Sequence, residues 1–392
     1  MPEREEFREI AHCGGQFIVT VTTDANGQRG VSFGVTHSRP VPASLIGVYV
    51  LPQGIPVGML DIPGSIPPPF PFCFQIFIAS DSHGLFGHEC PTCAQYWRSH
   101  GASAYWPMTC PYCGLRGDGY QFLTAGQRRF VDTMCAVTRE AIDSEKDGDV
   151  GIDMDKVADE IVKTGERPSF YYTEESQQNR FTCAACRGVN DILGRYGYCA
   201  NCGTRNDLQE LTGTIERANV RTRERIIAKE LLHPAIQDSV SAFDSMARQY
   251  AKQLATRVPM TPTRRTSLES ALFHNPKARA AELKPWFAIN LLDGLDAEAQ
   301  AFIIRMFLRR HVYEHNGGQV DQDYLDESGD TSVRLGQALR ETPDTVFRTT
   351  GLILKMSRNL HEGFHQLFPP VAKPIEYETE RKARLEAYRQ GR

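Results

Sequence analysis

Short apolar runs with partial alternation dominate the first 85 or so residues, and a three-to-four-residue apolar period takes over after Leu208. Phe17-Ile18-Val19-Thr20-Val21-Thr22 and Gly30-Val31-Ser32-Phe33-Gly34-Val35 flank Asn26-Gly27. That dipeptide favours a tight hairpin because both of its residues tolerate positive φ. Two further strands are expected at Ser44 to Leu51 and Phe72 to Ala79. The connection between them, Ile62-Pro63-Gly64-Ser65-Ile66-Pro67-Pro68-Pro69, can be neither helix nor central strand, because proline lacks the donor that both need.

Thr124 is placed to cap a helix running to about Ile142. An acidic turn from Asp143 to Asp149 then leads to a second helix from Asp155 to about Lys163. Farther on, Ile236, Val240, Phe243, Ala247, Tyr250 and Leu254 make one apolar stripe. Ala301, Ile304, Leu308 and Val312 mark another helix, stopped by Asn316-Gly317-Gly318. Val346, Ile353, Leu360, Phe364 and Leu367 mark a third, stopped by Pro369-Pro370. The last twenty or so residues read as a charged, solvated helix or tail.

The cysteines add a different kind of constraint. Eight of the eleven form four Cys-x-x-Cys pairs in two sets: Cys90, Cys93, Cys110, Cys113 and Cys183, Cys186, Cys199, Cys202. Each closing pair is followed at once by glycine, Gly114 or Gly203. This layout suits a thiolate knuckle, in which a tight turn brings two sulfurs to one ion. Four such ligands satisfy tetrahedral zinc, so two closed structural Zn2+ sites are expected, with a redox Cys-x-x-Cys pair as the competing reading. Sixteen residues separate the pairs in the first set and twelve in the second, so the ribbons share a plan without being a close duplication. Cys13, Cys73 and Cys135 read as buried small apolar residues.

The expected fold is therefore α+β and multidomain. A β-rich domain covers 1–86, zinc ribbon 1 covers 87–123 and a helical linker region covers 124–178. Zinc ribbon 2 follows at 179–206, an all-α helical bundle at 207–370 and a charged tail at 371–392. A length of 392 residues allows two or three such cores. A net charge of −4 removes any global bias toward polyanions, so nucleic acid would have to be met by a local basic patch. The charged start, Met1-Pro2-Glu3-Arg4-Glu5-Glu6, leads into no apolar run, and Phe70 to Ala79 is far short of the roughly 20 residues that cross a bilayer. The expectation is a cytoplasmic protein with no membrane partner, where paired thiols stay reduced and available to metal.

One helix end carries candidate chemistry. Arg305-Met306-Phe307-Leu308-Arg309-Arg310-His311-Val312-Tyr313-Glu314-His315-Asn316 places an arginine, followed at once by the polar His311, with four residues between it and a histidine, just before Gly317-Gly318. With the surrounding helices, about 210–370, this resembles the HEPN superfamily (higher eukaryotes and prokaryotes nucleotide-binding domains). Many members of that superfamily are metal-independent endoribonucleases whose site forms across a dimer of helical domains. The resemblance implies that Arg310 holds the scissile phosphate, His315 acts as general acid/base and His311 assists positioning, in a homodimer acting on RNA. Histidine can take and give a proton near neutrality, and the arginine fork matches phosphate oxygens. Some members of the family keep the fold without the chemistry. A non-catalytic adaptor, with ribbons binding nucleic acid or a protein, is the alternative. Arg309 to His315 fits a looser version of the same spacing.

Two other motifs yield to ordinary explanations. His361-Glu362-Gly363-Phe364-His365 matches the zinc-protease pattern, yet Gly363 and Pro369-Pro370 weaken and end the helix, and core packing explains the segment. Asp81-Ser82-His83-Gly84 looks like the start of a binuclear phosphoesterase, but no Gly-Asn-His follows anywhere. His88 could replace a cysteine ligand, although four cysteines suffice.

For nucleic-acid contact the best stripe is Arg217, Arg221 and Arg225 at four-residue spacing, with Arg223, Lys229, Arg264 and Arg265 nearby. Tyr96, Trp97, Tyr105, Trp106 and Tyr112 surround the first ribbon, and Arg187, Arg195, Tyr196 and Tyr198 the second. Such residues can stack bases and neutralise phosphates, or can simply be the minimal core of a small module.

Overall fold

A computed structural model describes residues 15–36, 38, 44–51, 53–60, 70, 73–80, 83–101, 103, 105–144, 147–162, 179–228 and 231–390. The proline-rich connection, Cys13, Lys163, Lys229 and the Asp81-Ser82 pair lie outside the described residues. The chain divides into two compact units, Met1–Thr204 with Val371–Arg392, and Arg205–Pro370.

The first unit opens with β1 (Gln16–Thr23) and β2 (Arg29–Thr36), then β3 (Leu45–Val50), β4 (Pro56–Leu60) and β5 (Phe74–Ala79). Gly27 turns the first hairpin at φ +78, and the Asp24 carboxylate accepts from the Asn26 and Gln28 amides. Next come β6 (Phe86–Glu89), β7 (Tyr96–Ser99), β8 (Met108–Thr109) and β9 (Arg116–Gly117). Helix α1 (Ala125–Asp143) starts from a reciprocal capping box between Thr124 and Gln127. Strand β10 (Gly148–Asp153), helix α2 (Met154–Val162), β11 (Asn179–Thr182) and β12 (Val189–Ile192) follow.

Three features of this unit differ from the expectation. Part of the acidic turn is strand β10, which pairs antiparallel with β1 so that Gln16 faces Asp153 and Val21 faces Gly148. Gly148-Asp-Val-Gly-Ile-Asp153 carries too few apolar residues to signal a strand, and the pairing is supplied by β1. Helix α1 is no spacer: Phe130, Val131, Met134 and Cys135 are buried in one core with Phe17, Ile76, Trp97 and Phe122. The ribbons are not separate modules either. Strands from both join in one four-stranded sheet in the order β11-β12-β7-β6, while β8 and β9 of the first ribbon pair with each other.

The second unit is helical throughout its long elements. It contains α3 (Asp207–Ala228), α4 (His233–Arg257), α5 (Pro262–Glu269), α6 (Pro276–Phe287), α7 (Ala297–His315), α8 (Gln322–Ser328) and α9 (Pro343–Leu367). The α4 stripe is buried as its period predicts, and so are Val346, Ile353, Leu360 and Phe364 of α9, while Leu367 at the end is exposed. On α7 the phase differs. Phe302, Ile303, Met306 and Phe307 face the core, Ala301 is exposed, and Ile304 and Leu308 are half-buried. Periodicity finds an apolar face, but a helix with apolar residues on more than one side does not announce which side meets the core.

The final helix, α10 (Ala372–Gln390), is not a free tail, for it belongs to the first unit. Most of its residues are solvated, but Pro374 and Glu378 are buried and Ile375 packs on the second cysteine set. The Val371 amide donates to the Cys202 carbonyl at 2.7 Å, which anchors the helix start. Among the described residues no helix is long and apolar enough to cross a membrane.

Candidate functional site

The four Cys-x-x-Cys turns share one backbone plan. In each, the amide of the residue after the second cysteine returns to the carbonyl of the first: Ala94 to Cys90, Gly114 to Cys110, Arg187 to Cys183 and Gly203 to Cys199, at 2.8–3.1 Å. The first cysteine's amide in turn reaches the carbonyl of the next residue along, Gln95, Leu115, Gly188 or Thr204. The turn needs a left-handed residue after the second cysteine, with φ of 53, 74, 62 and 74° at the four positions. Gly114 and Gly203 adopt it freely, whereas Ala94 and Arg187 must be held there by the rest of the knuckle.

Cys90 and Cys113 Sγ atoms are 3.7 Å apart, as are those of Cys93 and Cys110. The second set repeats this at 3.7 Å for Cys183–Cys202 and 3.6 Å for Cys186–Cys199. Four thiolates about 2.3 Å from one tetrahedral ion would lie about 3.8 Å from each other, so both sets fit such an ion. The donors around the second set fit it as well. The Gly188 backbone amide and the Asn201 side-chain amide approach Cys186 Sγ at 3.4 Å, and the Asn190 side-chain amide approaches Cys199 Sγ at 3.4 Å. N–H groups aimed at sulfur favour thiolate over thiol. Without an ion four thiols so close cannot all ionise: a hydrogen bond from Cys110 holds Cys113 down at about 5, while burial pushes Cys93 up to about 11. These are the two groups of metal-ligating side chains found among the described residues.

His88 is not a ligand. Its Nε2 is 2.9 Å from Ser99 Oγ, its ring lies against Trp97, and burial lowers its pKa to about 3. Of the leftover cysteines, Cys135 is buried and Cys73 half-buried. Trp97 and Tyr198 are wholly buried core residues, whereas Tyr105 is 66% exposed and Trp106 is half-buried.

The end of α7 separates the two adjacent arginines. Arg309 turns inward, where its guanidinium reaches Tyr324 Oη at 3.0 Å, Asp330 at 2.9 Å and Glu341 at 3.3 Å. Tyr313 and Tyr324 donate to the same two carboxylates at 2.6 Å. Burial works against charge on Arg309, but its bonds to Asp330 and Tyr324 outweigh it and keep the guanidinium firmly protonated. Arg309 therefore holds the helix end in place and is unavailable to a ligand. Arg310 is covered to the same degree, its side chain 11% exposed against 12% for Arg309, but its partners differ: it pairs with Glu314 Oε2 at 2.5 Å and lies 3.1 Å from His274 Nδ1. His311 and His315 are exposed and tilted against each other with ring centres 4.4 Å apart. At about 100° per residue, His311 and His315 share a face, while Arg310 and His315 point about 140° apart.

A groove of about 570 Å3 opens beside His311, and its lining includes His274, Lys277, Ile304, Leu308, Val312 and Tyr324. The apolar stripe expected to meet the core thus partly lines this groove. The helix stops as the glycines suggest, with the Asn316 and Gly318 amides both returning to the Val312 carbonyl and Gly317 and Gly318 at φ of 59 and 85°.

The zinc-protease motif is used structurally. Tyr250 Oη and His361 Nδ1 are 2.7 Å apart, His365 Nε2 accepts from the Arg205 amide and His365 Nδ1 donates to the Phe368 carbonyl. Burial lowers the His361 pKa to about 3. Gly363 is there because a methyl group would approach Ile289 to 3.0 Å.

Arg217, Arg221 and Arg225 do line one side of α3, the first two exposed. Arg221 pairs with Asp238 at 3.3 Å and Arg225 donates to the Leu231 carbonyl at 3.4 Å. Arg223 packs over Phe347 and Arg264 over Trp286 instead of extending the stripe. No protein-family model, no curated protein and no solved structure matches this chain.

Proposed function

We propose that the protein is a metal-independent endoribonuclease of HEPN type, with zinc in both four-cysteine clusters helping to hold the RNA or a partner. The observation that carries this reading is the division of labour on α7. Arg309 is bound by two carboxylates beneath the helix, while His311 and His315 are exposed and Arg310, mostly covered, is held by Glu314 of its own helix and by His274. Zinc suits the clusters because it is borderline-soft, has no d-electron geometry preference and is stable as a closed tetrathiolate. Closed sites leave it no part in the chemistry.

In the proposed reaction a ribose 2′-hydroxyl loses its proton to a histidine, its oxygen bonds to phosphorus, and the 5′-oxygen leaves with a proton. The products are a 2′,3′-cyclic phosphate and a 5′-hydroxyl. Arg310 would exchange Glu314 for the phosphate and stabilise the charge that builds on it. Because Arg310 and His315 diverge on one helix, a single phosphate would be met by residues of two copies in a homodimer. Arg217, Arg221 and Arg225 would contact the phosphates beyond the cut.

The test is incubation of the folded protein with mixed RNA in EDTA, comparing wild type with His315→Ala. Cyclic-phosphate ends from wild type and none from the variant support the enzyme. The Arg310–Glu314 pair favours a second reading, a non-catalytic adaptor in which the arginine is neutralised. Absence of cleavage by either protein, with RNA binding retained, would select it.

A further inference from the structure

A cleft of about 290 Å3 lies between the ribbon sheet and α10 in the first unit. Three stretches far apart in sequence build it: Ser99 and Trp106, then Arg187 and Asn201, then Tyr377 and Arg381. We propose that this cleft binds an unstacked nucleotide of single-stranded RNA, with Trp106 and Tyr377 as stacking surfaces and Arg187 and Arg381 as the charges that meet its phosphates. The inference takes the polymer's identity from the RNA reading above and assigns a place for it in the first unit.

Trp106 and Arg381 are each held in place by a neighbouring side chain. Trp106 donates its indole N–H to Asn201 Oδ1 at 2.6 Å, and Asn201 in turn donates to Cys186 Sγ at 3.4 Å. The ring is thereby tethered to the cysteine cluster, and it lies tilted against Tyr105 with ring centres 6.3 Å apart. Tyr377 rises from α10 and is 60% exposed, a large ring at the cleft edge with no place in the core. Arg187 projects from the tip of the third knuckle at φ 62°, a left-handed position where glycine would be easier. Arg381 is fixed by Glu378, which accepts from its Nε at 2.6 Å and its Nη2 at 2.9 Å.

The charge balance favours an anion. Arg187, Arg381 and Lys382 surround the carboxylate of Glu378, a lining residue of the cleft that is 4% exposed. The chemistry that answers two aromatic faces and two guanidinium groups is a planar ring joined to a phosphate. Every base has a π-face, so such a site is tolerant of sequence but demands an unpaired strand. The volume, at the lower end of ordinary ligand pockets, suits one base and not an extended molecule.

The experiment uses full-length protein carrying His315→Ala, so that binding is read apart from cleavage, and labelled short oligoadenylate RNA as the probe. Arg187→Gly removes a guanidinium at a backbone position that glycine prefers, and Tyr377→Ala removes an exposed ring, so neither endangers the fold. Each is expected to weaken binding about tenfold with metal content unchanged. The same probe annealed to its complement is expected to bind more weakly than the single strand. Affinity unchanged within about twofold in both variants, or no binding by the parent protein, overturns the proposal. His315-dependent cleavage with Arg187-independent binding would sink this inference alone. Arg187-dependent binding without any cleavage would sink the nuclease reading alone.

Discussion

Arg98 on β7 and Asp191 on β12 face each other in the shared ladder with side chains 1% and 0% exposed, and their ion pair joins the two ribbons. The guanidinium Nε reaches the carboxylate at 2.7 Å. Other bonds tie the ribbons together nearby, from the Thr109 amide to the Ala200 carbonyl and from the Tyr198 amide to the Pro111 carbonyl.

Breaking that pair from one side leaves an uncompensated buried charge. Asp191→Ala is expected to cost about 3–5 kcal/mol, while a double replacement, Arg98→Met with Asp191→Leu, costs less because no charge is stranded. Thermal unfolding of the single and double variants, with metal counted in each, checks the order. A single variant as stable as wild type would show the pair to be unimportant.

Metal removal should act on the first unit as a whole. Two ions per chain are expected, one for each cysteine set. Because α10 is anchored on the second set through Val371 and Ile375, Cys199→Ser should both lower the count and expose α10 to protease. Mass spectrometry under native conditions and limited proteolysis read the two effects, and protection of α10 in the variant would contradict the anchoring.

Asp330 is the hub beneath the end of α7. Burial disfavours its charge, yet bonds from Ser332, Tyr324 and Arg309 more than compensate and hold its carboxyl well below the usual range. Asp330→Asn should cost about 3 kcal/mol by leaving Arg309 underpaired. In wild type this stabilisation is complete above about pH 4 and is lost as acid protonates the group. Denaturant melts of both proteins across that range should converge at low pH.

His361 gives a second, opposite-charge test. Burial lowers its pKa from 6.5 to about 3, so between those values the unfolded chain binds a proton that the folded one refuses. Stability should therefore fall as pH drops through this window, by up to about 1.4 kcal/mol per unit from this group. His361→Gln should flatten that part of the profile. An unchanged slope would mean the imidazole is not held neutral.

The cysteine spacing alone determined the two clusters, because a knuckle is local: two ligands, three covalent steps apart, and a residue able to turn left behind them. The α4 stripe and the Thr124 cap were legible for the same reason, since they depend on neighbours within one or two turns. What the sequence could not disclose was every feature made by partners distant along the chain. Strand β10 exists because β1 offers it a ladder, and the ribbons merge because β7 and β12 pair. Nor does a charged helix such as α10 reveal that a few of its residues will find a cysteine cluster nearly two hundred positions away. On α7 the motif located Arg310, His311 and His315, but only tertiary contacts decided which of the two arginines is spent on the fold. Arg309 meets Asp330 and Glu341 from segments that return under the helix, whereas Arg310 pairs with Glu314 of its own helix and lies against His274. Local patterns record what adjacent residues can do, whereas which face is buried, and therefore which charge is left for a ligand, depends on the whole fold.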